Sequence, residues 1–467
     1  MKFGGTSVGN AGAMAQAAQI VKDARAEWPR VVVVTSAISG ATNLLLDSAT
    51  RAARGDLSTL VEVETLLLNN HEAIINAQVS DPARQAQLKQ EIARMISNFG
   101  SLCRAMGVLG EASPRALDAV ASLGERMSVR ILAGVIESIG VAARAVDSTE
   151  FIITNTTFQN AHPDFDATTI KTRAVLNPLL DESIVPVTTG FIGATPDGAV
   201  TTLGRGGSDY SAGIIGAVLP ADDVWIWTDV DGVMTADPRM VPEARTLPEI
   251  SYSEVAELAY YGAKVLHPKT VRPVVDEGIG LRICNTFNPT HPGTRLVPNL
   301  KTNGKTSKEH VVKAVTAIRK QRMITIEGRG MLGVPGVAAR AFGAVASTGT
   351  SVPLITQASS EQSICFAVPS ESAAPVLSAL ERAFAAELED NDIDRVWATE
   401  DVSIITVVGA GMRHTPGVSG RVFSQLGDHS VNVLAIAQGS SEVSISMVVE
   451  SQDTEAAVRS LHELIVK

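Results

Sequence analysis

Residues 202–239 read TLGRGGSDYSAGIIGAVLPADDVWIWTDVDGVMTADPR, and the fold turns on this stretch. A glycine-rich turn, Gly204-Arg205-Gly206-Gly207-Ser208-Asp209, opens an apolar helix expected over Tyr210 to Leu219. The run Val224 to Trp227 then reads as a strand, ending in Thr228-Asp229-Val230-Asp231-Gly232. A helix N-terminus offers unpaired N–H groups and the positive end of its dipole, and an acidic loop at a strand end suits Mg²⁺ or a ribose. Two such loops around one helix are the layout of a nucleotide-phosphate site. Taken singly, Asp209 also serves as a plain cap, and the Asp-Gly loop as a turn chosen for shape. The spacing does not fit an EF-hand, which needs a glutamate that is absent here.

Outward from that stretch, short β-branched runs alternate with long amphipathic segments from Met1 to about Arg295, as at Val31 to Val34 and Ile184 to Val187. Runs with so little polar alternation fit strands buried on both faces by crossover helices. The expected class is therefore α/β, a mainly parallel open sheet sandwiched by helices. Between about Asn43 and Arg130 the sequence is rich in Leu, Ala, Glu and Arg with almost no strand signal. A block of several helices is expected there, forming a lid or an interface. Residues 288–310, NPTHPGTRLVPNLKTNGKTSKEH, have linker composition and mark a domain boundary.

Beyond the boundary the chain repeats itself at a constant offset of 81 positions. Gly330 matches Gly411, Pro335-Gly336-Val337 matches Pro416-Gly417-Val418, Arg340 matches Arg421, Gln357 matches Gln438, and Ser363-Ile364 matches Ser444-Ile445. Each copy reads strand, turn, helix, strand, turn, strand, helix, close to a ferredoxin-like βαββαβ unit. In the second copy these fall at Ile404 to Val408, Gly417 to Leu426, Val431 to Ala437, Val443 to Val449 and Thr454 to Ile465. Units of roughly 70 residues are small to stand alone, so they are expected to pack on each other or on another subunit.

Composition removes other classes. The 467 residues are 45% hydrophobic and 19% charged, with a net charge of −11, which suits a globular protein and not a general nucleic-acid binder with its basic stripe. Cys103, Cys284 and Cys365 make neither a disulfide framework nor a zinc site, so no protein metal site is expected. No window approaches the roughly 18 apolar residues of a membrane span. A cytoplasmic protein with small-molecule partners, and without nucleic acid or membrane, is the expectation.

The chemistry-bearing motifs are spread along the first 270 residues. Lys2-Phe3-Gly4-Gly5-Thr6-Ser7 puts a lysine at a strand end before two glycines, where backbone N–H groups can approach phosphate; an ordinary tight turn looks the same. The spacing is not that of a Walker A loop. Thr35-Ser36-Ala37 follows a strand and Thr42 opens a helix, placing hydroxyls to meet an anion or simply to cap. Arg205 offers a guanidinium fork for a carboxylate, and Arg239 could face a phosphate. Glu125, in Gly124-Glu125-Arg126, reads by itself as a surface residue.

Together KFGGTSV at 2–8, TSAISGATN at 35–43, GERMS at 124–128, GRGGSDYSA at 204–212, WTDVDGVMTADPR at 227–239 and YGAKVLHPKT at 261–270 resemble the aspartate kinases of the amino acid kinase family. The likeness spans the whole chain. It implies the amino acid kinase fold over 1–297, with the helical insertion near 43–130, and a regulatory domain of two ACT modules over 309–467. The modules would occupy about 321–389, and about 309–320 with 400–467, the first inserted in the second so that the strand from His310 to Ile318 pairs with the C-terminal copy.

The resemblance implies transfer of the γ-phosphoryl group of ATP, with Mg²⁺, to the side-chain carboxylate of L-aspartate, on the route to lysine, threonine and methionine. Lys2, the Gly4-Gly5 amides and Mg²⁺ would meet the developing charge. Arg205 would clamp the substrate α-carboxylate and Glu125 its α-ammonium. Ser36, Thr42 and Ser208 would contact its oxygens, and Asp209 would orient Lys2. Thr228, Asp229, Met234, Arg239 and Lys264 would surround the nucleotide, Met234 standing where relatives have a tyrosine. Only Met1 precedes the motif lysine, so the first strand is expected to be short or incomplete.

LITQASSEQSI and AIAQGSSEVSI are similar to the modules of threonine-sensitive relatives, including those fused to homoserine dehydrogenase. This implies an amino-acid effector, threonine rather than lysine, contacted by Gln357 and Gln438, and a homodimer or homotetramer joined through the modules. Two other readings compete with this one. A dinucleotide-dependent dehydrogenase, suggested by Val408-Gly409-Ala410-Gly411, lacks the third glycine and the ribose-binding acid at the required spacing. A catalytically inactive amino-acid sensor on a kinase scaffold is opposed by intact Lys2, Arg205 and Asp209.

Overall fold

The computed structural model describes residues 1–263, 266, 268–298, 311–357, 362–412, 415–438 and 443–466. Among them no helix is long and apolar enough to cross a membrane. Two units are distinct. The first holds Met1–Val233, Pro248–Ile250 and the described part of Leu266–Pro298; the second holds Met234–Leu247 and the described parts of Ser251–Val265 and Asn299–Lys467. A boundary drawn only at the linker leaves Met234–Leu247 and Ser251–Val265 on the other side.

In the first unit β1 (Lys2–Phe3) leads to α1 (Ala11–Glu27), whose first turn is capped by Asn10 accepting from Ala13 N at 2.9 Å. After β2 (Val33–Thr35) come the helices expected between 43 and 130: α2 (Ala41–Ala53), α3 (Leu60–Gln78), α4 (Pro82–Leu109) and α5 (Pro114–Ser138). The last two begin alike. Asp81 and Ser113 cap them, and a proline at the first helical position costs nothing because its missing N–H would be unpaired anyway. α5 is buried along most of its length and packs against the sheet. The chain continues through β3 (Ala143–Val146), α6 (Phe165–Asp181), β4 (Val185–Thr189), a hairpin of β5 (Ile192–Ala194) and β6 (Val200–Thr202), α7 (Gly207–Val218) and β7 (Asp223–Thr228).

After β8 (Glu249–Ser251) and α8 (Tyr252–Tyr260), the first unit is completed by α9 (Pro268–Asp276), β9 (Gly280–Asn285) and β10 (Thr294–Val297). Its eight-stranded sheet runs β3-β4-β2-β1-β7-β9-β10-β8. β3, β4, β2, β1, β7 and β9 are parallel neighbours, and β10 is antiparallel to β9. From β1 the chain goes out to one side through β2 and returns to the other side at β7. That reversal opens a crevice at the carboxyl ends of the strands, where open α/β sheets bind ligands. Phe3 and Trp227 stack beneath it, centroids 6.1 Å apart.

The second unit is built on β11 (Ala314–Glu327), α10 (Val337–Ser347), β12 (Leu354–Gln357), β13 (Ser363–Pro369), α11 (Ala373–Ala383), α12 (Ala385–Glu389), β14 (Arg395–Ala398), β15 (Val402–Val408), α13 (Val418–Asp428), β16 (Ala435–Ala437), β17 (Ser444–Glu450) and α14 (Thr454–Val466). β11 serves both repeats. Ala314 to Ile318 pair with β15 of the second copy, and Gln321 to Glu327 pair with β13 of the first, with a register shift between. Lys320, at the shift, has φ +56°, a left-handed turn of backbone that redirects the strand. His310, the expected start of this strand, lies outside the described residues. The strand expected from Val431 forms only over Ala435–Ala437.

Candidate active site

Lys2 leaves the end of β1, and its Nζ sits 2.6 Å from Asp209 Oδ1, in the first turn of α7. Both groups are largely buried, so the pair holds the ammonium at a fixed point of the crevice. Asp209 is therefore not a cap. The residue before the helix is Gly206, φ +70°, and no side chain bonds to the first turn. Glycine at 190 is required by close approach: a Cβ there would stand 2.6 Å from the Ser208 Cβ. β4's exit loop thus presses Ser208 into the crevice.

A cavity of about 470 Å³ at this point is lined by Lys2, Ser36, Thr42, Glu125, Arg205, Ser208 and Asp209, all seven residues expected to hold or orient the substrate. Arg205 is exposed at its mouth. Glu125 reverses the expectation from its sequence neighbourhood, because it is only 3% exposed, at mid-length of α5. Its Oε1 accepts from Ala37 N at 3.2 Å, while its Oε2 is buried and has no hydrogen-bond partner among the described residues. Burial pushes its carboxyl from the ordinary 4.5 up to about 8, with the Ala37 bond pulling the other way. A buried acceptor left unpaired is costly, so this oxygen marks a place for a donor brought from outside.

Sequence reasoning missed Asp118 and Gln159, which also line the cavity. Asp118 Oδ2 accepts from Gln159 N and Thr202 N, each at 2.9 Å, and Oδ1 accepts from Thr202 Oγ1 at 2.8 Å. It ties α5 to β6 and to the loop where Gln159 adopts φ +68°. An acid in mid-helix carries no motif, so nothing in the sequence singled it out.

The phosphate side is less open than the glycines suggested. Gly4 N donates to Trp227 O at 3.1 Å, so this amide is engaged within the sheet and is not a free phosphate donor. A Cβ at position 4 would lie 3.6 Å from Lys2 Nζ, an ordinary contact, so neither space nor backbone conformation requires glycine there. Gly5 follows on the same turn. Thr228 ends the adjacent strand β7 and Asp229 follows it, with Thr228 Oγ1 donating to Asp229 Oδ1 at 3.2 Å. Asp231 is committed elsewhere, accepting from Asn285 and Asn288 side chains at 2.8 and 3.1 Å.

Met234 and Arg239 belong to the second unit. Met234 bridges to Thr246, and Arg239 is fork-bonded to Asp237 of its own turn, Nη2 to Oδ2 2.6 Å. Lys264 lies outside the described residues. Gln357 and Gln438 line a separate groove of about 630 Å³ within the second unit. Among the described residues no three His, Cys, Asp or Glu side chains gather to hold a metal ion.

The amino acid kinase family pattern matches residues 1–285, and the ACT domain pattern matches twice, at 324–384 and 405–464. Aspartokinase 1 of Arabidopsis thaliana chloroplasts is 34% identical over 472 aligned residues, covering 99% of this chain and 79% of that protein. The chain belongs to the aspartokinases of the amino acid kinase family. Another relative is the bifunctional aspartokinase/homoserine dehydrogenase 2 of A. thaliana, 37% identical over 462 residues, which cover 99% of the chain and 50% of the relative. The chain thus spans about half the length of the bifunctional relatives it matches. Among solved structures, E. coli aspartokinase III in complex with aspartate and ADP superposes with TM-score 0.80 at 32% identity, covering 100% of this chain and 99% of that one.

Proposed function

We propose that this aspartokinase transfers the γ-phosphoryl group of ATP to the side-chain carboxylate of L-aspartate, giving 4-phospho-L-aspartate, an entry reaction to lysine, threonine and methionine. The observation that carries this is Glu125, whose orphaned buried oxygen shares a cavity with Arg205 and the Lys2–Asp209 pair. An α-amino acid needs an acceptor for its ammonium and a fork for its carboxylate, and both are present. The side-chain carboxylate is then directed toward Lys2. The relative from E. coli was solved with aspartate and ADP, which supports the same pairing of ligands.

Chemistry here is mainly placement and charge. Lys2, held by Asp209, would lie against the oxygens of the transferred group and meet the negative charge that develops in line. Gly5 and the N-terminal amides of α7 would add donors, and Ser36, Thr42 and Ser208 would fix the acceptor. Thr228 and Asp229 would face the nucleotide from the end of β7. Met234, Arg239 and Lys264 remain proposals for the adenine and phosphate side by family likeness alone. Mg²⁺ would neutralise phosphate oxygens as a partner of the nucleotide, which supplies hard oxygen ligands; among the described residues no cluster of three acidic, His or Cys side chains offers them.

The second unit is read as the regulatory part. Gln357 and Gln438 would contact an amino-acid effector, threonine more than lysine, since both glutamines line one groove. Exposed Ile355 and Ile436 on strands β12 and β16 suit assembly into a dimer or tetramer. The test is aspartate-dependent ATP turnover with Mg²⁺, repeated with millimolar threonine or lysine. Turnover suppressed by threonine is the expected result. A folded chain that binds threonine without turnover would instead make it an amino-acid sensor.

A further inference from the structure

The turn Gly204-Arg205-Gly206-Gly207 carries the guanidinium fork of the site, yet three of its four residues are glycine. Gly204 and Gly206 stand at φ +78° and +70°, and glycine loses more conformational freedom on ordering than any other residue. Arg205 between them is exposed, so the arc its guanidinium sweeps is set by the backbone beneath it. Such a turn has to be fixed from outside. Its exit is held by the close approach of Gly190 to Ser208 and by Ser211 Oγ, which accepts from Phe191 N at 3.0 Å.

Its entry is held by Asp118. Thr202, two residues before the turn, gives this one carboxylate both its backbone N–H and its hydroxyl. The oxygen that takes the Thr202 N–H also takes that of Gln159, while Ala161 N donates to Thr202 O at 2.9 Å. Residues 159–161 and the entry of the turn are thus laced side by side. A Cβ on Gly204 would stand 2.8 Å from Asn160 Oδ1, so the turn rests directly on that segment.

Asp118 is buried, and bonds to an ionised carboxylate are shorter and stronger than neutral ones. It precedes Glu125 by seven residues on α5, two turns along one face and about 10 Å along the axis, and both residues line the substrate cavity. The same helix therefore bears the acceptor for an ammonium and the tether of the loop that bears the carboxylate fork.

We propose that Asp118 is a positioning residue for the substrate: it anchors the glycine-rich turn to α5, so that one helix sets the span between the Glu125 acceptor and the Arg205 fork. Its part is played through Arg205, in binding the α-amino acid, and not in phosphoryl transfer. This deepens the substrate reading given above and rests on it.

The experiment is steady-state aspartate-dependent ATP turnover of the full chain with Mg²⁺, beside thermal melts, for the wild type, Asp118→Ala, Asp118→Asn, Arg205→Lys and the double variant Asp118→Ala/Arg205→Lys. Asp118→Ala should raise the aspartate KM about tenfold or more while kcat and the ATP KM stay within about threefold, the mark of lost binding without lost transition-state contact. Asp118→Asn should recover most of the loss, because an amide oxygen can take both backbone N–H groups while its NH₂ donates to the Thr202 hydroxyl. In the double variant, removing Asp118 should cost less than about threefold beyond Arg205→Lys, since an ammonium on a flexible stem needs no fixed fork.

Equal losses of kcat in both Asp118 variants would overturn the proposal and assign the carboxylate's charge to the chemistry. A full tenfold cost on the Arg205→Lys background would overturn it too, by showing that Asp118 acts independently of Arg205. A lowered melting temperature with an unchanged aspartate KM would make Asp118 a tie of the fold alone. Should Asp118→Ala not fold, Thr202→Val decides, since it removes only the bond to Oδ1: a raised aspartate KM at constant kcat is expected, and an unchanged KM overturns the proposal. A wild type whose ATP turnover does not respond to aspartate would remove the substrate reading itself, which none of the other outcomes does.

Discussion

Glu125 and Lys2 carry the sharpest consequences at the scale of single residues. With its carboxyl raised to about 8, Glu125 is mostly protonated at pH 7 in the ligand-free chain. Receiving an ammonium requires the carboxylate, so aspartate binding should release a proton. The KM for aspartate should fall as pH rises from 6 to 8 and level above that, and Glu125→Gln should flatten the profile at a higher KM. A wild-type KM independent of pH would contradict this. The same group affects folding. Below 4.5 it is neutral in both states, whereas between 4.5 and 8 only the unfolded chain ionises, so its contribution to stability declines over that window by a few kcal/mol. Lys2→Ala should cut kcat at least a hundredfold with little change in the aspartate KM, because its contacts are made to the transferred group. A variant with near wild-type kcat would remove Lys2 from the mechanism. These residues were legible only through their motifs: Glu125 looked like a surface acid, Asp118 was invisible, and no sequence shows that Gly4's amide is spent on Trp227.

Among the elements, α7 is the one whose placement the site depends on. A Cβ on Gly213 would stand 2.6 Å from the backbone oxygen of Thr270 in α9, so the two helices touch at backbone distance. Gly213→Val should overpack this contact, cost about 1–3 kcal/mol and lower turnover, because Ser208 and Asp209 ride on the same helix. Gly343→Ala in α10 is the control, since nothing lies within 4 Å of its Cβ position; it should leave turnover unchanged and raise stability slightly. Thermal melts and kcat measured side by side decide the matter, and a Gly213→Val chain with wild-type values would sink it. The elements themselves were largely readable. β7, α7, β15 and β17 lie close to where their apolar runs put them, and α2 to α5 fill the block expected to be helical, whereas the strand expected from Val431 is cut back to Ala435–Ala437. The hairpin β5–β6 and the helix α8 were not, being short segments defined by what they pack against.

For the whole molecule, the division into units was only partly legible, because the linker composition at 288–310 marks where the chain crosses over and says nothing of segments that return. Met234–Leu247 and Ser251–Val265 join the second unit through contacts such as Thr235 Oγ1 with His462 Nε2 at 2.8 Å and Glu254 with Lys313. Both repeats share β11, so neither can lose its sheet without exposing the other's edge. Native-state hydrogen exchange should therefore give β13 and β17 amides the same opening free energy, and two distinct values would contradict it. The shared strand has an evolutionary consequence as well. The two copies arose by duplication, yet a chain that threads both on one ribbon has lost the freedom to shuffle them: no crossover within 314–327 yields a self-contained copy. New ligand preferences in such a protein accumulate by point changes along the groove, and chimaeras made from its relatives should be joined outside the pair.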